Sequence, residues 1–243
     1  MSIGDRSQHE IDHGRLLAEE DTERIWGWGT PAGRLRAERR AEMIAGGAGL
    51  GPHIHALEIG CGTGLFTEMF ARTGARITAI DISPSLLAKA AARNLPHENV
   101  RFLEKRFEDC DVDGPFDAVI GSSVLHHLDI DQALPKILEL LKNGGVFSFA
   151  EPNMLNPQVF VERKFRQFFP YVSPDETAFV RGSFQKSLYQ TGFRHIEITP
   201  FDWLHPAVPE FLIPLVSMTG RLLEKTPLIR DFSGSLYIKA VRP

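Results

Sequence analysis

Three glycines and one aspartate are the residues whose types and spacing first indicate chemistry. Gly60, Gly62 and Gly64 stand at alternate positions, and Asp81 follows them further along the chain. Glycine lets the backbone turn sharply and close on a ligand that a Cβ would exclude. A carboxylate can accept hydrogen bonds from both hydroxyls of a ribose. Together these residues predict a site for a nucleoside.

The elements expected around these residues would bring them to one place. Leu57 and Ile59 belong to a short buried strand before the glycines, and the apolar residues of 65–72 recur at helical spacing. A second strand covers residues 76–80, so Asp81 stands at its carboxyl end, where open parallel sheets place their ligand crevice. The helix after the glycine turn points its N-terminal amides into the same crevice.

Two ligand classes fit a glycine turn followed by an acid at the next strand end. The dinucleotide fingerprint, Gly-x-Gly-x-x-Gly, requires glycine where this chain has Leu65. Glu58, just before the turn, suits a ligand with a cationic end better than one with a pyrophosphate. These features argue against a nicotinamide-dependent oxidoreductase, which remains an alternative.

The glycine turn with its preceding acid and Asp81 closely resembles the first two motifs of the Rossmann-like S-adenosylmethionine-dependent methyltransferases, small-molecule group. The resemblance implies that the turn receives the methionine part of the cofactor and Asp81 its ribose. Adenine would lie at residues 106–109, although members of this family often carry Asp where this chain has Arg106. The implied contact then passes to Glu108, Asp109 or the backbone at Phe107. The implied cofactor-binding residues are Glu58, Gly60, Cys61, Gly62, Gly64, Asp81, Ile82, Phe107, Glu108 and Ser122.

Two adjacent histidines follow the predicted fourth strand, residues 116–121, in a segment similar to the post-strand-four motif of small-molecule methyltransferases. Histidine can take the proton of a hydroxyl acceptor because its pKa lies near neutrality. Adjacent residues on a helix point about 100° apart. We therefore expect His126 to face the substrate and His127 to be structural. The alternative is that both only pack or cap the helix.

A metal is not expected at this segment. Some quinone-pathway relatives within the resembled family use carboxylates here for a metal, whereas this chain has Ser123 and His126 at those positions. A histidine pair without acidic companions is a weak ligand set.

The alternation of strand and helix from residue 56 to residue 150 predicts a doubly wound α/β sheet. The resembled fold is mainly parallel and seven-stranded with an antiparallel last strand. Residues 193–199 and 234–241 would be its last two strands. A helix over 131–142 is expected to end at a left-handed cap over residues 143–145.

The chain divides into an N-terminal segment and one larger domain. Residues 1–52 would form a helical lid segment, and residues 53–243 the Rossmann-like domain. Within this domain, residues 152–190 would be a helical cover beside the pocket mouth. Residues 203–230 would be an apolar insertion that covers the core, with a membrane-surface or lipid-substrate role as the alternative.

The N-terminal segment contains two further features. Trp26 and Trp28 stand in a glycine-rich loop that either packs on the core or serves as a lid. The helix after this loop carries the basic cluster of the chain. We expect a solvated helix face, with binding of an anionic substrate group as the alternative. The cluster consists of Arg34, Arg36, Arg39 and Arg40.

The composition limits the classes of partner and the setting expected for this protein. The 243 residues include 27 Lys plus Arg and 31 Asp plus Glu, a net charge of −4 that gives no general attraction to nucleic acid. Two cysteines are too few for a disulfide framework and indicate a reducing, cytoplasmic setting. No stretch reaches the roughly 18 apolar residues of a membrane span.

The resemblance thus implies an enzyme that transfers a methyl group from S-adenosylmethionine to an O- or N-acceptor by in-line displacement, releasing S-adenosylhomocysteine. We expect a small-molecule acceptor, lipophilic or sugar-containing, and no nucleic-acid partner. The alternative from another class is a non-catalytic S-adenosylmethionine-binding module, which the motifs alone do not separate from an enzyme.

Overall fold

The structure is a computed structural model that describes residues 3–96, 98–169 and 176–243. Within these residues the strands form one seven-stranded sheet. They are His55–Ile59 (β1), Arg76–Asp81 (β2), Val100–Glu104 (β3), Phe116–Ser122 (β4), Leu141–Pro152 (β5), Arg194–Phe201 (β6) and Ser235–Val241 (β7).

Helices cover both faces of this sheet and its carboxyl edge. They are Ile3–Ala18 (α1), Thr22–Ile25 (α2), Pro31–Ala48 (α3), Leu65–Ala71 (α4), Pro84–Ala91 (α5), Ile130–Leu140 (α6), Pro157–Lys164 (α7), Arg181–Thr191 (α8) and Ile213–Lys225 (α9). None of the helices in the described ranges is long and apolar enough to cross a membrane.

The strand order is β3-β2-β1-β4-β5-β7-β6. The strands from β1 to β5 pair in parallel, whereas β7 pairs antiparallel with both β5 and β6. The predicted doubly wound, mainly parallel sheet with an antiparallel last strand is confirmed. Because β1 and β4 lie together at the centre, the chain segments that follow them meet at one edge.

The core has two layers because alternate residues of a strand face opposite sides of the sheet. In β1, Leu57 and Ile59 pack in the layer that contains Leu134 of α6, while Ala56 faces the layer that contains Ile44 of α3. All five residues are at most 2 % exposed. The central strand that leads into the glycine turn is therefore held from both sides.

The predicted boundary between α6 and β5 is wrong. The helix ends at Leu140, and Leu141 is already extended and pairs with Phe116 of β4. Gly144 has a φ of +77°, but it lies within β5 rather than at a helix cap, and its N–H donates to the carbonyl of Arg242. The left-handed glycine therefore marks an irregularity at the start of the strand.

The apolar insertion contains α9, which its prolines did not suggest. Pro214 lies in the first turn of α9, where a missing backbone N–H costs no helical hydrogen bond. Ile213 and Gly220 of α9 are buried, while Leu215 and Leu222 are more than half exposed.

Candidate cofactor and acceptor site

A cavity of about 890 Å³ lies at the carboxyl edge of the sheet. It is in the upper part of the range of about 300–1,000 Å³ found for small-molecule sites. Its walls come from α1, the tryptophan loop, the glycine turn, the ends of β2 and β4, the start of α7 and residues 203–207. The volume leaves room for a nucleoside and a second small molecule together.

The glycine turn forms the floor of the cavity. Gly60 and Gly62 line it with φ values of +66° and +52°. A Cβ on Gly60 would lie 2.2 Å from a methyl carbon of Val124, and one on Gly62 would lie 3.2 Å from the ring of Trp26. Gly64, at φ +76°, begins α4 and packs against Ala90 instead of lining the cavity. Gly60 and Gly62 therefore keep the floor of the cavity open to a ligand, and Gly64 allows the turn to pack closely against Ala90.

Asp81 lies at the end of β2 and lines the same cavity. Its Oδ2 accepts the N–H of Gly62 at 2.8 Å, and its Oδ1 accepts the N–H of Ser83 at 2.8 Å. Burial raises the pKa of Asp81, and these two N–H donors oppose the shift. Since each carboxylate oxygen has two lone pairs, one acceptor position on each oxygen is left for a ligand hydroxyl.

Two of the implied cofactor residues of the turn are placed differently from Asp81. Glu58 is 1 % exposed and does not line the cavity, and burial raises its pKa to about 8. Cys61 lines the cavity, but burial raises the pKa of its thiol well above the usual value. A protonated, buried thiol fits the expectation of a small packing residue.

The other implied cofactor residues also reach the cavity. Ile82, Ser122 and, from the segment implied for adenine, Phe107 and Glu108 all line it. The guanidinium of Arg106 binds the carboxylate of Asp109, so the two charges compensate each other. Of the two acidic residues considered for the adenine contact, Glu108 is the one on the cavity wall.

His126 lies in a 3₁₀ turn directly after β4 and is 3 % exposed. Its Nδ1 is 2.7 Å from Oε2 of Glu151, and its Nε2 is 3.9 Å from Oε2 of Glu176. Burial lowers the pKa of His126 well below the usual value. Burial also raises the pKa of Glu151 to about 7, although that carboxylate accepts the N–H groups of Val124 and Leu125 at 3.0 Å. His126 is thus a neutral imidazole in a fixed orientation.

His127 lines the same cavity as His126. Its Nδ1 is 3.0 Å from Oε2 of Glu10, and its Nε2 is 3.9 Å from Oε1 of Glu176. Burial acts to lower the pKa of His127, but nearby carboxylates, first Glu10, outweigh it and raise the pKa. The expectation that the histidine pair lacks acidic companions is therefore wrong.

The basic cluster is not a solvated face either. Arg40 is buried, and its guanidinium donates to Ser123 and Ser235 side chains and to the carbonyl of Ala150. Burial lowers the pKa of Arg40 to about 10. Arg36 pairs with Asp202, directly after β6, and Arg39 pairs with Glu224 of the apolar insertion. Arg34, the fourth member of the cluster, is exposed.

The two rings of the tryptophan loop have different surroundings. Trp28 is buried against Phe66 of α4, with 5.6 Å between ring centroids, while Trp26 lies over Gly62 in the turn. Both rings line the cavity.

Sequence reasoning missed the partners of the histidines and of Arg40. Glu151 could have been found, because it ends β5 beside β4 and parallel strands share their carboxyl edge. Glu10 and Glu176 come from distant segments that no pattern connects with the histidines.

The sheet is doubly wound, with glycines in the turn after its first strand and an acid at the end of its second. This arrangement is a Rossmann-like nucleoside-binding architecture. Residues 57–147 match the family model described as a methyltransferase domain. The resemblance drawn from the motifs, to the Rossmann-like S-adenosylmethionine-dependent methyltransferases, is confirmed over this stretch.

Known proteins share this domain. The chain is 28 % identical over 139 residues to nodulation protein S of Sinorhizobium fredii, covering 56 % of this chain and 62 % of that protein. It is 33 % identical over 152 residues to a ubiquinone biosynthesis O-methyltransferase of Xanthomonas campestris, covering 60 % of this chain and 62 % of that protein. The matches thus span less than two thirds of either relative.

A solved structure extends the likeness of fold to almost the whole chain. The N-methyltransferase NodS from Bradyrhizobium japonicum, in complex with S-adenosylhomocysteine, superposes with a TM-score of 0.65 at 18 % identity. The superposition covers 97 % of this chain and 98 % of that one.

Proposed function

We infer that this protein is an S-adenosylmethionine-dependent methyltransferase that acts on a small-molecule O- or N-acceptor. The observation that carries this proposal is one cavity lined both by the glycine turn with Asp81 and by His126 with His127. We assign the cofactor to the part beside Asp81 and the acceptor to the part beside the histidines. The solved structure from Bradyrhizobium japonicum is that of an N-methyltransferase, and the relative from Xanthomonas campestris is an O-methyltransferase. Both names support this class of reaction.

In the proposed complex, Asp81 binds the ribose hydroxyls, the glycine turn approaches the methionine part, and Glu108 with the backbone at Phe107 borders the adenine. The acceptor atom then approaches the methyl carbon from the histidine end. In-line displacement forms a bond from the acceptor to the methyl carbon as the carbon–sulfur bond breaks, and the sulfur keeps the electron pair. The protein's contribution is therefore near-attack geometry in a site that excludes water.

The walls of the cavity suit this task. Trp26 and Trp28 cover the turn, and α1 closes the cavity over the histidines with Glu10, His13 and Leu17. These segments would hold the two reactants together and keep water from the sulfonium. We propose a lipophilic or sugar-containing acceptor, since aromatic and polar side chains both border this end.

The proposal is tested with the purified full chain in two steps. Calorimetry with S-adenosylhomocysteine and with NAD measures which nucleotide binds, and we expect S-adenosylhomocysteine alone to do so. The protein is then incubated with methyl-labelled S-adenosylmethionine and a small-metabolite extract, and mass spectrometry follows labelled products. Tight NAD binding would instead favour the oxidoreductase. S-adenosylmethionine binding without any labelled product would favour a non-catalytic binding module.

A further inference from the structure

Two imidazoles and one carboxylate converge at the acceptor end of the cavity. The candidate ligand atoms of His126, His127 and Glu176 all lie within 4.8 Å of one another. Each Nε2 is 3.9 Å from a different oxygen of Glu176. The imidazoles come from consecutive residues of the 3₁₀ turn after β4, and their ring centroids are 4.2 Å apart. Glu176 comes from a separate segment, so tertiary structure alone brings the three together.

We propose that His126, His127 and Glu176 bind a divalent transition-metal ion. Ligand atoms at about 2.0–2.2 Å from one ion are separated by at most ~4.4 Å. The cluster must therefore contract by on the order of 1 Å to close on an ion, a movement within reach of side-chain rotation. Two histidines and one carboxylate form a ligand set used for Zn²⁺ and Fe²⁺, with coordination positions left open for another molecule.

The surroundings of the cluster orient its ligands as metal sites require. Imidazoles that bind a metal donate their other ring N–H to a carboxylate or a carbonyl, which fixes the tautomer and the ring orientation. Here Nδ1 of His126 lies 2.7 Å from Glu151, and Nδ1 of His127 lies 3.0 Å from Glu10. Both Nε2 atoms are thereby turned toward Glu176. Packing alone would not require the Nδ1 atoms of both rings to lie beside carboxylates while the Nε2 atoms converge on a third.

The remaining ligand is held as well. The guanidinium of Arg163 lies 2.7 Å from Oε2 of Glu176, and both side chains are less than 10 % exposed. Glu151 is fixed in turn by the backbone N–H groups of Val124 and Leu125. The cluster is thus positioned by neighbours on three elements and does not depend on one flexible side chain.

The position of the metal site in the cavity indicates what the ion would do in the reaction. All three ligands line the cavity at the end proposed for the acceptor, so this role rests on the proposed function. An open position on the ion would take the acceptor hydroxyl and lower its pKa. The hydroxyl proton leaves to solvent, the oxygen bonds to the methyl carbon, and the ion carries the ionisation that an imidazole base would otherwise perform. The inference therefore favours a hydroxyl acceptor.

Cobalt(II) titration of the full chain, after dialysis against a chelator, tests the site directly. We expect one saturable set of visible absorption bands per chain, and displacement of these bands by zinc. His127→Ala and Glu176→Gln should weaken cobalt binding at least tenfold. His13→Ala is the matched control, because His13 lines the same cavity outside the cluster, and its cobalt binding should be unchanged. Far-UV circular dichroism confirms that each variant is folded.

Two results would overturn the metal site. One is the absence of saturable cobalt bands in the unmodified protein. The other is cobalt binding that the His127→Ala and Glu176→Gln variants leave intact. Methyl transfer that persists in the chelated protein without cobalt binding would reject this inference and leave the proposed function standing. Cobalt binding that depends on His127, in a protein that transfers no methyl group, would reject the proposed function and leave the metal site.

Discussion

Replacement of Asp81 by Asn tests the cofactor end of the cavity. In the structure the two carboxylate oxygens accept the N–H groups of Gly62 and Ser83 at 2.8 Å, and each keeps one lone pair for a ribose hydroxyl. Asparagine has one acceptor oxygen, and its NH₂ group cannot accept a hydrogen bond. The variant therefore loses one ribose contact and the negative charge that strengthens the other.

A hydrogen bond to a charged group contributes about 1.5–3 kcal/mol. Because ~1.4 kcal/mol is a factor of ten, we expect Asp81→Asn to bind S-adenosylhomocysteine about 10- to 100-fold more weakly. The fold should survive, since burial raises the pKa of Asp81 and the neutral side chain removes the desolvation cost of that charge. This gain offsets part of the lost contact to the turn.

Isothermal titration calorimetry with S-adenosylhomocysteine measures the affinity, and urea unfolding of the same preparations measures the stability. The matched control is Asp113→Asn, which makes the same change in charge at an exposed position. An Asp81→Asn protein that is folded and binds within twofold of the unmodified protein would refute the placement of the ribose on Asp81.

Three further substitutions test other parts of the site. Gly60→Ala forces a side chain to a φ of +66° and places its Cβ 2.2 Å from Val124, so urea unfolding should show a loss of about 3 kcal/mol or more. Gly46→Ala, in α3 with no atom within 4 Å of its Cβ, should instead gain about 0.5–1 kcal/mol. Glu58→Gln should change how stability depends on pH. The folded state keeps the Glu58 proton up to about pH 8, whereas the unfolded chain releases it near pH 4.5. The unmodified protein should therefore lose on the order of 2–4 kcal/mol relative to the variant as the pH rises through this window. Arg40→Met leaves the buried hydroxyls of two serines and a carbonyl without their donor, and should cost about 2–4 kcal/mol in the same unfolding measurement.

A specific outcome would contradict each of these predictions. Equal stability of the two glycine variants would show that the turn tolerates side chains. A constant stability difference between the Glu58→Gln variant and the unmodified protein from pH 5 to pH 9 would show that Glu58 is ionised in the fold. A loss below about 1 kcal/mol for Arg40→Met would show that water or rearrangement replaces the guanidinium.

Local patterns were enough to predict that the glycine turn and Asp81 lie together. The glycines, the strand before them and Asp81 lie close together in sequence, so strand and helix periodicity fixes their relative positions. Gly60 and Gly62 line the cavity with Asp81 as predicted. Glu58 does not reach the cavity because alternation along β1 turns its side chain away, toward Thr67 of α4.

The acceptor end could be predicted only in part. The histidine pair was recognisable from its place after β4, and Glu151 ends the neighbouring strand. The prediction that the basic cluster is solvated was wrong, since helix periodicity does not show that Arg36 and Arg39 pair with Asp202 and Glu224. Long-range pairs of this kind have no period in the sequence.

By itself the sequence determined the alternation of strands and helices from β1 to β5, the glycine turn and the acid at the end of β2, because short-range sterics and hydrophobic periodicity act between near neighbours. Only the tertiary structure decided what surrounds His126 and His127. Glu10 arrives from α1, Glu151 from β5 and Glu176 from the segment before α8. Packing of distant elements around one edge of the sheet sets the distances from these carboxylates to the two histidines. Charge interactions across a buried cavity depend on distance rather than on position in the chain.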